Sequence, residues 1–217
     1  MSFWTTIDKL FNQLFEVETI KMALDYNSAT PLIFTQLYFW IFFAIVLSVY
    51  SFIYKKNKLR NAFLFLVSIF FYYKTSGFFF SILLFSTFSD YLLGFAIEKG
   101  KTITRKKCWL ALSIFINLFV LFYFKYAYFF ADSFNQLIGA EWHPINHFAE
   151  ISNQLFGSSF RVDQILLPVG ISFFTFQTMS YSIDIYRKEI KPVRSIIDFG
   201  FYVSFFPQLV AGPIVRA

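Results

Sequence analysis

The chain has 217 residues, 57% of them hydrophobic and only 15% charged, with 35 phenylalanines and a mean hydropathy of +0.57. Soluble domains carry about 25% charged residues, so composition excludes one and predicts an all-α integral membrane protein, because helices satisfy their own backbone in lipid. The single cysteine, Cys108, excludes an internal disulfide and any multi-cysteine metal site.

In chain order, residues 1–30 come first. Phe3, Ile7, Leu10, Leu14 and Val17 fall on one helical face, with Asp8, Lys9, Glu16 and Lys21 mainly elsewhere. That pattern predicts an N-terminal amphipathic helix, lying on the outer membrane interface or packed on the chain's own outer loop. Residues 32–54 are long enough to cross a hydrocarbon core, which takes about 20 helical residues. Residues 61–73 and 78–97 follow, separated by the turn signal Lys74-Thr75-Ser76-Gly77. The first of the two is short for a span, so it either tilts or inserts only in part. Residues 109–130, 165–186 and 196–215 complete a polytopic bundle of about five to six membrane helices. The last contains Pro207, Gly212 and Pro213, and is expected to be broken, spanning or re-entering.

The formal charge of +6 does not point to nucleic acid, because the basic residues gather between apolar runs. Lys55, Lys56, Lys58 and Arg60 form one group, Lys99, Lys101, Arg105, Lys106 and Lys107 a second, and Arg187, Lys188, Lys191 and Arg194 a third. By the positive-inside rule these are cytoplasmic connectors. The long connector from about residue 131 to 164 carries Asp132, Glu141, Glu150 and Asp163 against one Arg161, which predicts the outer side. The expected location is therefore a bacterial cytoplasmic membrane, crossed several times.

Ionisable residues inside apolar runs need a partner or a wet cavity. Asp90 is the most demanding, with a long apolar run before it. Lys125 lies near the outer end of its run and is read either as a buried polar group or as a snorkelling one. Asp184 and Arg187 are spaced i,i+3 and can pair. His143 and His147 are i,i+4, but Pro144 between them speaks against a helical metal face, so they read as solvated loop residues and no metal is expected. Gly170-Ile171-Ser172 resembles half of a nucleophile elbow; Phe174 stands where the second glycine belongs, so Ser172 is not expected to be a nucleophile. Phosphate-binding and dinucleotide-binding glycine motifs are missing from the sequence.

The most informative stretch is residues 165–217. There Pro168, Gly170, Gln177, Asp184, Arg187, Pro207, Gln208, Gly212, Pro213 and Arg216 interrupt two apolar runs. Such groups survive at bilayer depth only where protein or a water-filled cavity covers them, so the region reads as the wall of a functional chamber.

The segments LLPVGISFFTFQTMSYSIDIYR and FYVSFFPQLVAGPIVR closely resemble the membrane-bound O-acyltransferase family, in its bacterial alginate O-acetyltransferase-like branch. RNAFLFLVSIFFYY, STFSDYLLG and NLFVLFYFKYAYFF match its earlier spans in order. The resemblance covers roughly residues 30–217. It implies that residues 31–217 are the N-terminal part of such a membrane domain. It also implies transfer of an acyl group, often acetyl, from a cytoplasmic thioester such as acetyl-CoA, with no resident cofactor. The implied acceptor is a hydroxyl on an extracytoplasmic polysaccharide or cell-wall polymer, and a periplasmic or extracellular partner protein can receive the group. The family's signature histidine falls in a later motif, beyond Ala217, so no catalytic residue is assigned to this chain and His143 does not inherit the role. On its own the chain is expected to be inactive.

Joined to the resemblance, the broken segments predict a tunnel wall containing Pro168, Gly170, Ser172, Gln177, Tyr181, Pro207, Gln208, Gly212 and Pro213. Arg187, Lys188 and Arg216 would stand near its cytoplasmic mouth, where they attract an anionic donor or simply anchor the helix ends. Two other readings stay open: a transporter or flippase subunit, since broken helices and buried acids also build substrate pathways, and a non-catalytic membrane scaffold.

Overall fold

The computed structural model describes residue 32 and residues 35–139, 141–156, 161–163, 165 and 167–212. The predicted helix at 1–30 lies outside these residues, as do Pro213 and Arg216. The described residues are helical, without strands: α1 (Leu37–Ile53), α2 (Asn57–Ser76), α3 (Phe80–Lys99), α4 (Ile103–Leu121), α5 (Ala127–Ile138), α6 (His147–Phe156), α7 (Ile171–Arg187), α8 (Ile196–Ser204) and α9 (Phe206–Ala211). Two continuous helical stretches, Asn57–Lys99 and Ile103–Ile138, are long and apolar enough to cross a membrane.

The first stretch folds back on itself. In a straight helix Phe65 and Tyr91 would stand about 39 Å apart. Both instead touch the middle of α8: Phe65 crowds Gly200, and the Tyr91 ring lies 6.1 Å from that of Phe199. The reversal occurs at Gly77, the last residue of the expected turn, and α8 is wedged between α2 and α3. Each of these two helices has 20 residues, about 30 Å, the thickness of a hydrocarbon core. The short run expected at 61–73 is therefore a full helix from Asn57, because Lys58 and Arg60 lie on its exposed end, and it continues through Lys74.

The expected crossing at 109–130 begins earlier and continues further. α4 passes into a π-helical turn, Phe122–Tyr126, and then into α5. The extra residue of a π turn resets the register: Leu121, Phe124, Ala127 and Ala131 face inward. Lys125 is consequently exposed, its ammonium 5.4 Å from the centre of the Tyr126 ring. This corrects its assignment as a buried polar group and leaves the snorkelling alternative.

The main core joins α3, α4, α7 and α8 through Leu83, Ile97, Leu121, Phe174, Tyr181, Phe199 and Val203. A second cluster, Phe39, Phe71 and Phe206, fastens α1 and α9 to α2. Among lipid-embedded helices such side chains contribute through close packing, since lipid tails are as apolar as they are.

Candidate functional site

Two features meet on α7, a buried polar node and a contact between the broken segments. The node is built from three i,i+4 pairs: Ser86 and Asp90 on α3, Ser113 and Asn117 on α4, Thr178 and Ser182 on α7. Residues spaced i,i+4 share a helix face, and these three faces meet. Asp90 is 1% exposed, and its five companions are all buried.

Ser113 Oγ donates to Asp90 Oδ1 at 2.5 Å, and Asn117 Nδ2 donates to Oδ2 at 2.6 Å. Ser182 Oγ lies 3.4 Å from Oδ1 and 3.0 Å from Ser113 Oγ. The Asn117 carboxamide oxygen in turn accepts from Ser86 at 2.9 Å and Thr178 at 3.0 Å. The pairings 86 with 117 and 90 with 113 make α3 and α4 antiparallel. Likewise 178 with 117 and 182 with 113 make α7 antiparallel to α4. None of the five companions was singled out beforehand; the signal available was a small polar residue four positions from another within three apolar helices.

Pro168 is buried and Gly170, at φ 72°, begins α7. The turn closes with the Ile171 N–H on the Pro168 carbonyl at 3.3 Å, and the Tyr72 hydroxyl donates to the Val169 carbonyl. A Cβ at Gly170 would lie 2.8 Å from the Leu209 carbonyl oxygen, so the first broken segment rests directly on the second. That second break has a local cause. Pro207 has no N–H to offer the carbonyl of Val203, and Phe205 leaves the helical region at ψ 107°. Ser68 Oγ accepts the Phe206 N–H at 3.3 Å and so covers the break from α2.

The structure distributes the remaining predicted residues as follows. Gln177 is buried and donates to the Tyr202 carbonyl at 2.8 Å, bracing α7 against α8. Tyr181 is fully buried; its hydroxyl accepts the Val193 N–H at 3.1 Å, and its ring crowds Gly94. Ser172, Pro207, Gln208 and Gly212 are half-buried, and Gly212 donates its N–H to the Gln208 carbonyl at 2.9 Å. Asp184 is buried near the end of α7, whereas Arg187 turns outward and reaches Glu189 at 4.0 Å.

The ends of the bundle differ. At one end Asn61 Nδ2 donates to Asp198 Oδ1 at 2.8 Å and Arg60 Nε to Asn61 Oδ1 at 3.2 Å. There too the Tyr91 hydroxyl donates to the Arg194 carbonyl at 2.7 Å, so the first and third basic connectors share this end. At the other, Phe130, Trp142, His143 and His147 help to line an aromatic cavity of about 180 Å³. His147 Nδ1 lies 3.4 Å from Glu150 Oε2, both exposed. Nearby, Arg161 hydrogen-bonds Asp163 at 2.8 Å and thereby holds its carboxyl below the ordinary value.

Over 184 residues the chain is 32% identical to the probable alginate O-acetylase AlgI of Pseudomonas putida, covering 84% of this chain and 34% of that protein. Over 132 residues it is 39% identical to the protein of the same name in Pseudomonas aeruginosa, covering 60% of this chain and 22% of that one. It is also 30% identical over 188 residues to the peptidoglycan O-acetyltransferase of Helicobacter pylori, covering 75% and 32%. The chain thus spans about a third or less of the length of these relatives. No protein-family model and no solved structure matches it. The motif order and these matches make the chain similar, over most of its length, to probable alginate O-acetylases and to a peptidoglycan O-acetyltransferase, in keeping with the resemblance its motifs carry to membrane-bound O-acyltransferases.

Proposed function

We propose that this chain forms part of a membrane O-acetyltransferase that moves an acyl group from a cytoplasmic thioester to a hydroxyl on an extracytoplasmic polysaccharide or cell-wall polymer. The carrying observation is its similarity to two kinds of protein named for O-acetylation, one of alginate and one of peptidoglycan. The chemistry common to those names is ester formation on a carbohydrate polymer.

In this reading the acceptor oxygen attacks the thioester carbonyl, its proton passes to a general base, and the thiolate leaves and takes up a proton. A thioester is already activated, so the protein's main contribution is to hold donor and acceptor together and supply the base. The Pro168–Gly170 turn, Ser172, the α8–α9 break with Pro207 and Gln208, and Gly212 at the end of α9 form part of the wall between them. Gln177, Tyr181 and Asp184 hold that wall from behind. Arg187 and Lys188 face the cytoplasm and attract the anionic donor, with the basic connectors inside and Trp142 outside. The base comes from the part of the relatives' length that this chain does not span, and a periplasmic or extracellular protein is a candidate first acceptor.

The test is transfer of labelled acetyl from acetyl-CoA in sealed vesicles holding the full-length protein. Base-labile label on the polymer is the expected result. Uptake of unmodified polymer precursor without any thioester, and with no ester formed, refutes it in favour of a transporter.

A further inference from the structure

We propose that Asp90 is the centre of a binding site for one small monovalent cation, a proton or Na⁺, between α3, α4 and α7. The groups that touch its carboxyl are neutral: Ser113, Asn117, Thr178 and Ser182. Other titratable residues on the helices packed here include Tyr91 and Glu98 on α3, Tyr181 and Asp184 on α7, and Asp198 and Tyr202 on α8, which also packs on α3; all are neutral or acidic. On α4 the inward-facing residues are Leu110, Ser113, Asn117, Val120 and Leu121, and the half-buried Lys106 donates instead to the Glu98 carbonyl at 3.3 Å. Among the described residues no Lys, Arg or His side chain reaches it.

Asp90 is 1% exposed. A buried carboxylate with no paired charge is strongly disfavoured even when neutral donors satisfy its oxygens. The charge therefore has to be answered by something small enough to sit inside the node.

The donor set matches a single positive charge. One carboxylate with the hydroxyl oxygens of Ser113 and Ser182 forms an all-oxygen cluster. Calcium and magnesium sites recruit more carboxylates or keep waters. A proton on Oδ1 reverses the Ser113 bond: the acid donates to Ser113 Oγ, Ser113 donates to Ser182 Oγ at 3.0 Å, and Ser182 points back to Oδ1 at 3.4 Å, so each hydroxyl accepts one hydrogen bond and donates another. Either occupant joins the three helices that place the Gly170 turn, so occupancy sets how firmly α7 is held.

The purified full chain in detergent is followed by infrared spectroscopy and by its unfolding midpoint, across a Na⁺ titration with choline holding ionic strength constant. Wild type is compared with Asp90→Asn. A protonated-acid carbonyl band at neutral pH, indifferent to Na⁺ and missing from Asp90→Asn, identifies the proton. A carboxylate band that shifts with Na⁺, together with a saturable rise in the wild-type midpoint that Asp90→Asn lacks, identifies the metal ion. A carboxylate band indifferent to Na⁺, with no protonated-acid band and no Na⁺-dependent midpoint, overturns the proposal. Should Asp90→Asn fail to fold, the wild-type carboxyl bands that resist hydrogen–deuterium exchange, checked in Asp184→Asn to subtract the other buried acid, decide the same outcomes.

Discussion

Replacing Gly170 by alanine tests the contact on which the proposed chamber wall depends. Two effects act there. The residue sits at φ 72°, a left-handed conformation that disfavours an L side chain by about 1–2 kcal/mol. The new Cβ would also stand 2.8 Å from the Leu209 carbonyl oxygen and 2.9 Å from Leu209 Cγ. The carbonyl belongs to backbone and cannot swing aside, so overpacking adds about 1–3 kcal/mol. The expected loss is about 2–5 kcal/mol. Gly139 supplies the internal control, because it has φ 66° but nothing within 4 Å of the position of a Cβ. Gly139→Ala should lose only the conformational part, about 1–2 kcal/mol. Unfolding of both variants in mixed micelles, referred to wild type, measures the difference. Equal losses would show that α7 does not rest on α9, and the proposed wall would fall with it.

Asn117→Leu removes the donor to Asp90 Oδ2 and the acceptor for Ser86 and Thr178. Thr178 can fall back on the Thr175 carbonyl, already 3.2 Å away, but Ser86 has no such second acceptor among its described bonds. A loss of about 3–5 kcal/mol follows; a loss below about 1 kcal/mol in micelle unfolding would mean the node is not a connected unit. Tyr181→Phe keeps the ring packing against Phe199, 4.4 Å between centroids, and leaves the Val193 N–H without its acceptor. It should be about 1–2 kcal/mol less stable, with faster hydrogen exchange at the Val193 amide; unchanged exchange there argues against the bond.

Much of the architecture was legible in the residues. Long apolar runs require helices, since lipid offers no partner to a free backbone group, and the turn expected at Lys74–Gly77 is where α2 gives way to α3. The break at Pro207 was equally readable, because a missing N–H is a local property. Element lengths were less so. α2 begins four residues before its apolar run, because charged residues at a membrane boundary are as compatible with helix as apolar ones.

Sequence by itself established the class of the molecule, the demand made by Asp90 and the resemblance carried by residues 166–217, all of which follow from local chemistry. Tertiary structure alone decided how that demand is met. Ser113, Asn117, Thr178 and Ser182 lie 23 to 92 positions from Asp90, and single small hydroxyls in apolar helices carry no local sign of their partner. It also turned Lys125 outward, because a π turn changes which residues face the core without changing the pattern of apolar residues. The contact of Gly170 with Leu209 belongs to the same class: the glycine is visible in the sequence, whereas what crowds it depends on where a helix 39 positions later comes to rest.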